Sequence, residues 1–113
     1  MASSQVILEG QGPLPLKATF TALSNLPTNI YISATAFAPA APQFLEVIVR
    51  IDGERVAMAQ VMTNEANVHR TLISSFTPIT LSVPDQHTVQ LELFDTQFMR
   101  SDSTDYYCVS LIY

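Results

Sequence analysis

The chain is short of charge, of glycine and of cysteine, and each shortage removes a class of function. Only 13% of its 113 residues are charged, about half the usual share. Its five basic residues, Lys17, Arg50, Arg55, Arg70 and Arg100, are scattered and are outnumbered by ten acidic ones, giving a net charge of −5. Nucleic-acid binding needs a basic stripe to neutralise phosphates, and an anionic membrane surface asks for the same; neither partner is expected. Three glycines are too few for a glycine-built phosphate cradle. The single cysteine, Cys108, excludes an internal disulfide, and its apolar surroundings suit an inert thiol better than a nucleophile. His69 and His87 are the only histidines, and they make no recognisable metal spacing. No apolar run approaches the ~20 residues of a membrane helix, so no membrane insertion is expected. The start, Met1-Ala2-Ser3-Ser4-Gln5, lacks the basic and apolar regions of a signal peptide. Cytoplasmic synthesis is the expectation, with release or surface display by a non-classical route left open.

What the sequence has is alternation. Residues 5–9 read as a short first strand after a loose tail at 1–4, and 10–15, rich in glycine and proline, break it. In 17–23, Ala18, Phe20 and Ala22 alternate with Lys17, Thr19 and Thr21, the period of a half-buried strand. A turn cluster at 24–29 leads to a strand over 30–37 and a stiff Pro39/Pro42 connector that is expected to cross between sheets. Residues 44–52 and 54–62 flank Asp52-Gly53, a strong signal for a two-residue hairpin. That loop sets Val49 opposite Val56, Val47 opposite Met58 and Arg50 opposite Arg55. The arginine pair is unfavourable unless Glu46 and Glu54 relieve it or a bulge shifts the register. A polar loop at 63–67, a strand over 68–76, a continuation over 79–83 and a turn at 84–86 follow. Residues 87–94 alternate again, with Val89, Leu91 and Leu93 inward.

The last eight residues, Tyr106-Tyr107-Cys108-Val109-Ser110-Leu111-Ile112-Tyr113, carry no charge on either strand face. A strand apolar on both faces belongs between two covering layers. With little charge elsewhere to clothe a monomer, self-association is expected, since interface cores are depleted of charge. No segment shows helical apolar spacing. The fold class is therefore all-β: one antiparallel β-sandwich or jelly-roll domain over 1–113, with essentially no helix.

The closing run 106–113 and the preceding His87-Thr88-Val89-Gln90-Leu91-Glu92-Leu93-Phe94 resemble the last two strands of the TNF/C1q-like trimeric jelly rolls. The resemblance is one of pattern over most of the chain and includes no diagnostic motif. It implies a homotrimer with the last strand near its axis. It spans receptor ligands, bacterial lectins and phage or spore surface modules.

Two polar clusters are candidate sites. The first is the loop 95–105, where Asp95, Arg100, Asp102, Asp105 and Tyr106 can meet sugar hydroxyls and stack on a sugar ring, and where Asp102 and Asp105 are candidate Ca²⁺ ligands. The same residues also suit an ordinary solvated loop. The second cluster is Asn64, Glu65, Asn67, His69 and Arg70, read either as ligand contacts or as an inter-subunit hydrogen-bond network. No nucleophile elbow, phosphate loop or paired-cysteine site is present, so no enzyme, no catalytic residue and no cofactor beyond Ca²⁺ is expected. The leading expectation is a lectin-like, homo-oligomeric module that recognises carbohydrate or another cell-surface ligand. The alternative is a structural tip, fibre or particle subunit with protein contacts only.

Overall fold

The central hairpin shows why the chain doubles back on itself. Asp52 and Gly53 take φ of 53° and 86°, the positive values that a two-residue turn requires to match strand twist. In the computed structural model, residues 4–23, 28–74, 77–81 and 86–113 are described. Their strands in order are β1 (Ser4–Gln11), β2 (Leu16–Thr21), β3 (Thr28–Ser33), β4 (Thr35–Ala36), β5 (Gln43–Ile51), β6 (Glu54–Thr63), β7 (Arg70–Thr71), β8 (Ile73–Ser74), β9 (Thr77–Ile79), β10 (Gln86–Leu93) and β11 (Tyr106–Ile112). No described residue is helical. Residues 1–3 of the tail expected over 1–4, most of the turn at 24–29, residues 75–76 and the stretch 82–85 lie outside the described residues, and Ser4 belongs to β1.

About the β5–β6 turn the two halves of the chain pair in nested fashion: β5 with β6, β3 with β9, β2 with β10 and β1 with β11, all antiparallel. Rolling this long hairpin gives two sheets, β1-β11-β3-β9 and β2-β10-β5-β6-β8, with a small β4-β7 ribbon beside them. This nested pairing is that of a jelly roll, and the chain is an antiparallel β-sandwich. The connector with Pro39 and Pro42, expected to cross between sheets, carries the chain from the β4-β7 ribbon into the second sheet. Ile30, Ile32, Leu45, Val47, Val49, Val89, Leu91, Tyr107, Val109 and Leu111 fill the space between the sheets.

Three details depart from the sequence reading. A bulge between Val49 and Arg50 sets Val49 against Ala57 and Val47 against Ala59, while Arg50 still faces Arg55. The like charges are separated because Arg50 turns to Glu92 at 2.6 Å and Arg55 to Glu46 at 3.0 Å. Glu54 takes no part in this relief among the described residues, and Glu46 is the buried partner, also accepting from Gln60 Nε2 at 2.7 Å. Second, the strand expected over 68–76 is two short pieces, β7 and β8. They are interrupted at Leu72, which is buried and donates its N–H to Ala34 O instead of to a sheet neighbour. Third, β1 runs longer than 5–9, with a bulge between Val6 and Leu8 that turns both Ile7 and Leu8 into the core.

β11 lies between β1 and β3. Within one chain, however, only its Tyr107, Val109 and Leu111 face is covered; Tyr106 on the other face is 47% exposed. Cross-strand partners share a face, so Val6, Glu9, Tyr31 and Ser33 join Tyr106, Cys108, Ser110 and Ile112 on the outside of this sheet. Among the described residues Glu9 is the one charge there, and the Tyr106 hydroxyl donates to it, which pushes the phenol up to about 12.

Leu111 is fully buried at the centre of the first sheet. Leu111→Asp is expected to lower stability by more than about 4 kcal/mol or to abolish folding, because an unpaired charge would enter the core. Chemical denaturation followed by circular dichroism checks this, and an unchanged midpoint would contradict the placement of β11.

Candidate functional site

The loop 95–105 owes its shape to short-range hydrogen bonds typical of aspartate-rich turns. Asp95 Oδ1 accepts from the N–H groups of Gln97 (2.8 Å) and Phe98 (3.4 Å). Arg100 folds its guanidinium back onto the carbonyls of Thr96, Gln97 and Met99. Both residues thus hold the loop together. Backbone bonds in both directions between Phe37 and Arg100 fasten the loop to the β4-β7 ribbon.

Beneath it, Asp105 is completely buried. Its Oδ1 accepts from the Thr35 hydroxyl and from His69 Nδ1, each at 2.6 Å, and its Oδ2 accepts from the Asp102 N–H at 2.8 Å. A buried carboxylate is tolerable only when its acceptor positions are satisfied in this way. Asp105 therefore ties three separate segments together: β4, the residues before β7 and the start of β11. It is a positioning group and not a surface contact, which the polarity of its loop did not reveal. Thr35, missed by the sequence reading, sits in an otherwise small-residue strand where its hydroxyl was the available signal.

What faces solvent is Asp102 and His69. Asp102 Oδ1 accepts from both the hydroxyl and the N–H of Thr104, at 2.6 and 2.8 Å, while Oδ2 lies 3.6 Å from His69 Nε2. The hydrogen bonds from Thr104, the hydroxyl's first, hold the Asp102 carboxyl below its ordinary value of 3.8. The His69 ring also packs on Phe37, with centroids 4.5 Å apart. The structure thus joins one residue of the second sequence cluster to two of the first. The others part company. Tyr106 points to the outer sheet face. Glu65 and Arg70 form an exposed pair at 3.0 Å, of a kind that contributes little. Asn67 occupies a left-handed turn position at φ 61° and donates to Ala38 O, and Asn64 is exposed in the same turn.

Ligand atoms of His69, Asp102 and Asp105 lie within 4.8 Å of one another. A nitrogen with two carboxylates suits a Zn²⁺- or Mn²⁺-like ion better than Ca²⁺, which collects oxygens only. The lone pairs of Asp105 are already engaged by protein donors, so a cation would compete with the His69 proton.

Gly12 makes this packing possible. Its N–H donates to Asp105 O at 2.8 Å, and a Cβ there would fall 2.4 Å from Asp102 O and 3.2 Å from the Tyr107 ring. The sequence marks Gly12 only as a turn residue beside Pro13, because the close approach is made by residues ninety positions away.

No protein-family model and no curated protein matches the chain. Among solved structures it is similar to the EclA C-terminal domain, described as a sugar-binding protein, with a TM-score of 0.47 and 17% identity over 100% of this chain and 77% of that one.

Two outcomes test the site. Gly12→Ala is expected to cost about 1–3 kcal/mol by overpacking and to shift the amide signals of Asp102 and Asp105; an unperturbed spectrum would refute the close approach. In a carbon-detected NMR titration, Asp102 is expected to ionise below 3.8. Its bonds to Thr104 then persist at ordinary pH and are lost only as pH falls through the lowered value. Thr104→Ala should move the transition back up, and no upward movement would show that Thr104 is not the cause.

Proposed function

We propose that the chain is a non-enzymatic recognition module that binds carbohydrate through the Asp102–His69 pair at the loop end of the sandwich. The observation that carries this reading is the exposed, charged Asp102 carboxylate beside an imidazole, both fixed from below by buried Asp105. A carboxylate acceptor and an imidazole a few ångströms apart match vicinal hydroxyls, and groups already held in place bind without a large ordering cost. The order of contacts argues against covalent catalysis. The Thr35 hydroxyl bonds to the Asp105 carboxylate and not to the imidazole, whereas an activated nucleophile must pass its proton to a base. The pair works either by direct hydrogen bonding or with a cation held by His69, Asp102 and Asp105.

The assembly proposed is a homotrimer of the TNF/C1q-like kind, with the exposed face of β11 toward the axis. Its support is the almost uncharged outer surface of the first sheet. Three sites would raise weak single-site affinity through avidity. That same surface favours a second reading, a structural subunit with protein contacts only, in which the Asp102–His69 pair is without a ligand.

The test is a glycan array at high protein density, with and without chelator, beside light scattering on a sizing column. The expected result is glycan binding that Asp102→Asn and His69→Ala abolish, from a particle of about 37 kDa, three times the 12.4 kDa chain. A sensitivity to chelator would assign the cation-assisted mode. An intact oligomer that binds no glycan would favour the assembly reading, and a monomer would remove the trimer.

A further inference from the structure

At the opposite end of the sandwich the two sheets part. β10 pairs Val89 with Ile51 and Leu93 with Val47, so the chain leaves β10 for the 95–105 loop at the end remote from the β5–β6 turn. At the turn end a cavity of about 490 Å³ opens between the hairpin and the segment that follows β9. This lies within the size range of small-molecule sites. Its apolar walls are Ile51 and Val56 from the hairpin, Ile79 from β9 and Leu81 from the segment that follows it. Its polar groups are Asp52, Glu54, Thr80 and His87.

These polar groups are not equivalent. His87 is buried, stacks on Phe20 with ring centroids 5.6 Å apart and places Nδ1 2.6 Å from Asp52 Oδ2. Asp52 Oδ1 accepts from the Thr88 N–H at 3.0 Å, and the Asp52 N–H donates to Thr88 O. Asp52 is thereby locked to β10 as part of the wall. Glu54, by contrast, is exposed and has no ion pair among the described residues. Among the described residues no lysine or arginine lines the cavity; Arg50 and Arg55 are engaged with Glu92 and Glu46. The cavity thus pairs an apolar body with a rim at which Glu54 is the carboxylate without an ion pair among the described residues, Asp52 being paired with His87.

We propose that this inter-sheet cavity is a second binding site, for a small ligand with an apolar body and a cationic end, such as an alkylammonium. The apolar part would enter between Val56 and Leu81, and the ammonium would sit at the rim against Glu54. Complementary charge at a partly enclosed rim strengthens such a contact over one in open water. This site is independent of the Asp102–His69 pair, and its ligand is of a different class.

The probe is cyclohexylmethylammonium at millimolar concentration, titrated into the ¹⁵N-labelled chain, with cyclohexylmethanol as its neutral counterpart. The expected result is saturable shifts in the amides of Ile51, Glu54, Leu81 and His87. Affinity should be about threefold weaker for the alcohol and for Glu54→Gln, the loss typical of an exposed charge contact. Val56→Trp and Leu81→Trp, which each fill the cavity, should remove saturation; either one serves if it keeps the spectrum of a folded chain. No saturable shift at these amides, shifts centred on Asp102 and His69 instead, or equal binding of amine and alcohol would each overturn the proposal.

Discussion

The structure depends on one constraint, that the chain is folded back on its own midpoint. Asp52-Gly53 can adopt the positive φ pair that a tight turn needs, and the partners on either side then zip outward until β1 meets β11. The consequence is that the first and last strands are hydrogen-bonded neighbours, and that most stabilising contacts join residues far apart in sequence. Such a fold gains little until its last strand is in place, because loop closure precedes the contacts that offset it. The Tyr113 hydroxyl, donating to Gln5 Oε1 at 2.6 Å, bonds the final residue to the opening strand.

The same fold-back creates the site. Asp105 directly precedes β11 and Gly12 follows β1, so pairing the first strand with the last brings the 101–105 loop onto Gly12. Asp105 then reaches into the gap between β4 and the residues before β7. A carboxylate there is costly to desolvate, and it persists because Thr35, His69 and the Asp102 N–H satisfy it. The buried charge ties the loop's position to the register of the strands. That is how an irregular polar loop comes to present Asp102 and His69 in a fixed relation.

Strand alternation made most of this fold legible. The faces of 17–23, 30–37 and 87–94 were read from their apolar period, and the hairpin from Asp-Gly. The sequence offered both a bulge and relief by Glu46 for the facing arginines; the resulting pairing of Val49 with Ala57 and the part played by Glu92, on another strand, were not legible. At the site the residue types were legible and their grouping was not. Asp102 and Asp105 look alike in sequence, yet one is exposed and one is buried, and only the path of β4 and β7 distinguishes them. His69 belonged by position to a loop cluster with Arg70 and Glu65, which instead pair with each other at the surface. A local pattern shows which side chains lie on one face of one strand, whereas a site built from three segments is fixed by the pairing of the whole chain.

The two sheet faces finally bear on what such a module is for. Outside the second sheet the charges are arranged in pairs, Arg50 with Glu92 and Arg55 with Glu46, and Arg55 also covers the Phe94 ring at 5.6 Å. Beyond these pairs, Phe44, Met62 and Ile73 are exposed on the same face. Outside the first sheet, Tyr31, Tyr106 and Val6 stand exposed around Cys108 and Ser110, with Glu9 bonded to the Tyr106 hydroxyl. Burying that face would desolvate a single carboxylate that already has a donor, so its electrostatic cost is small while its apolar gain is not. Assembly through the first sheet would leave the 101–105 loop, at the end of the strands and not on their face, open to solvent. The proposed self-association and the proposed recognition at Asp102 and His69 would therefore not compete for the same surface, as a multivalent binding module would require.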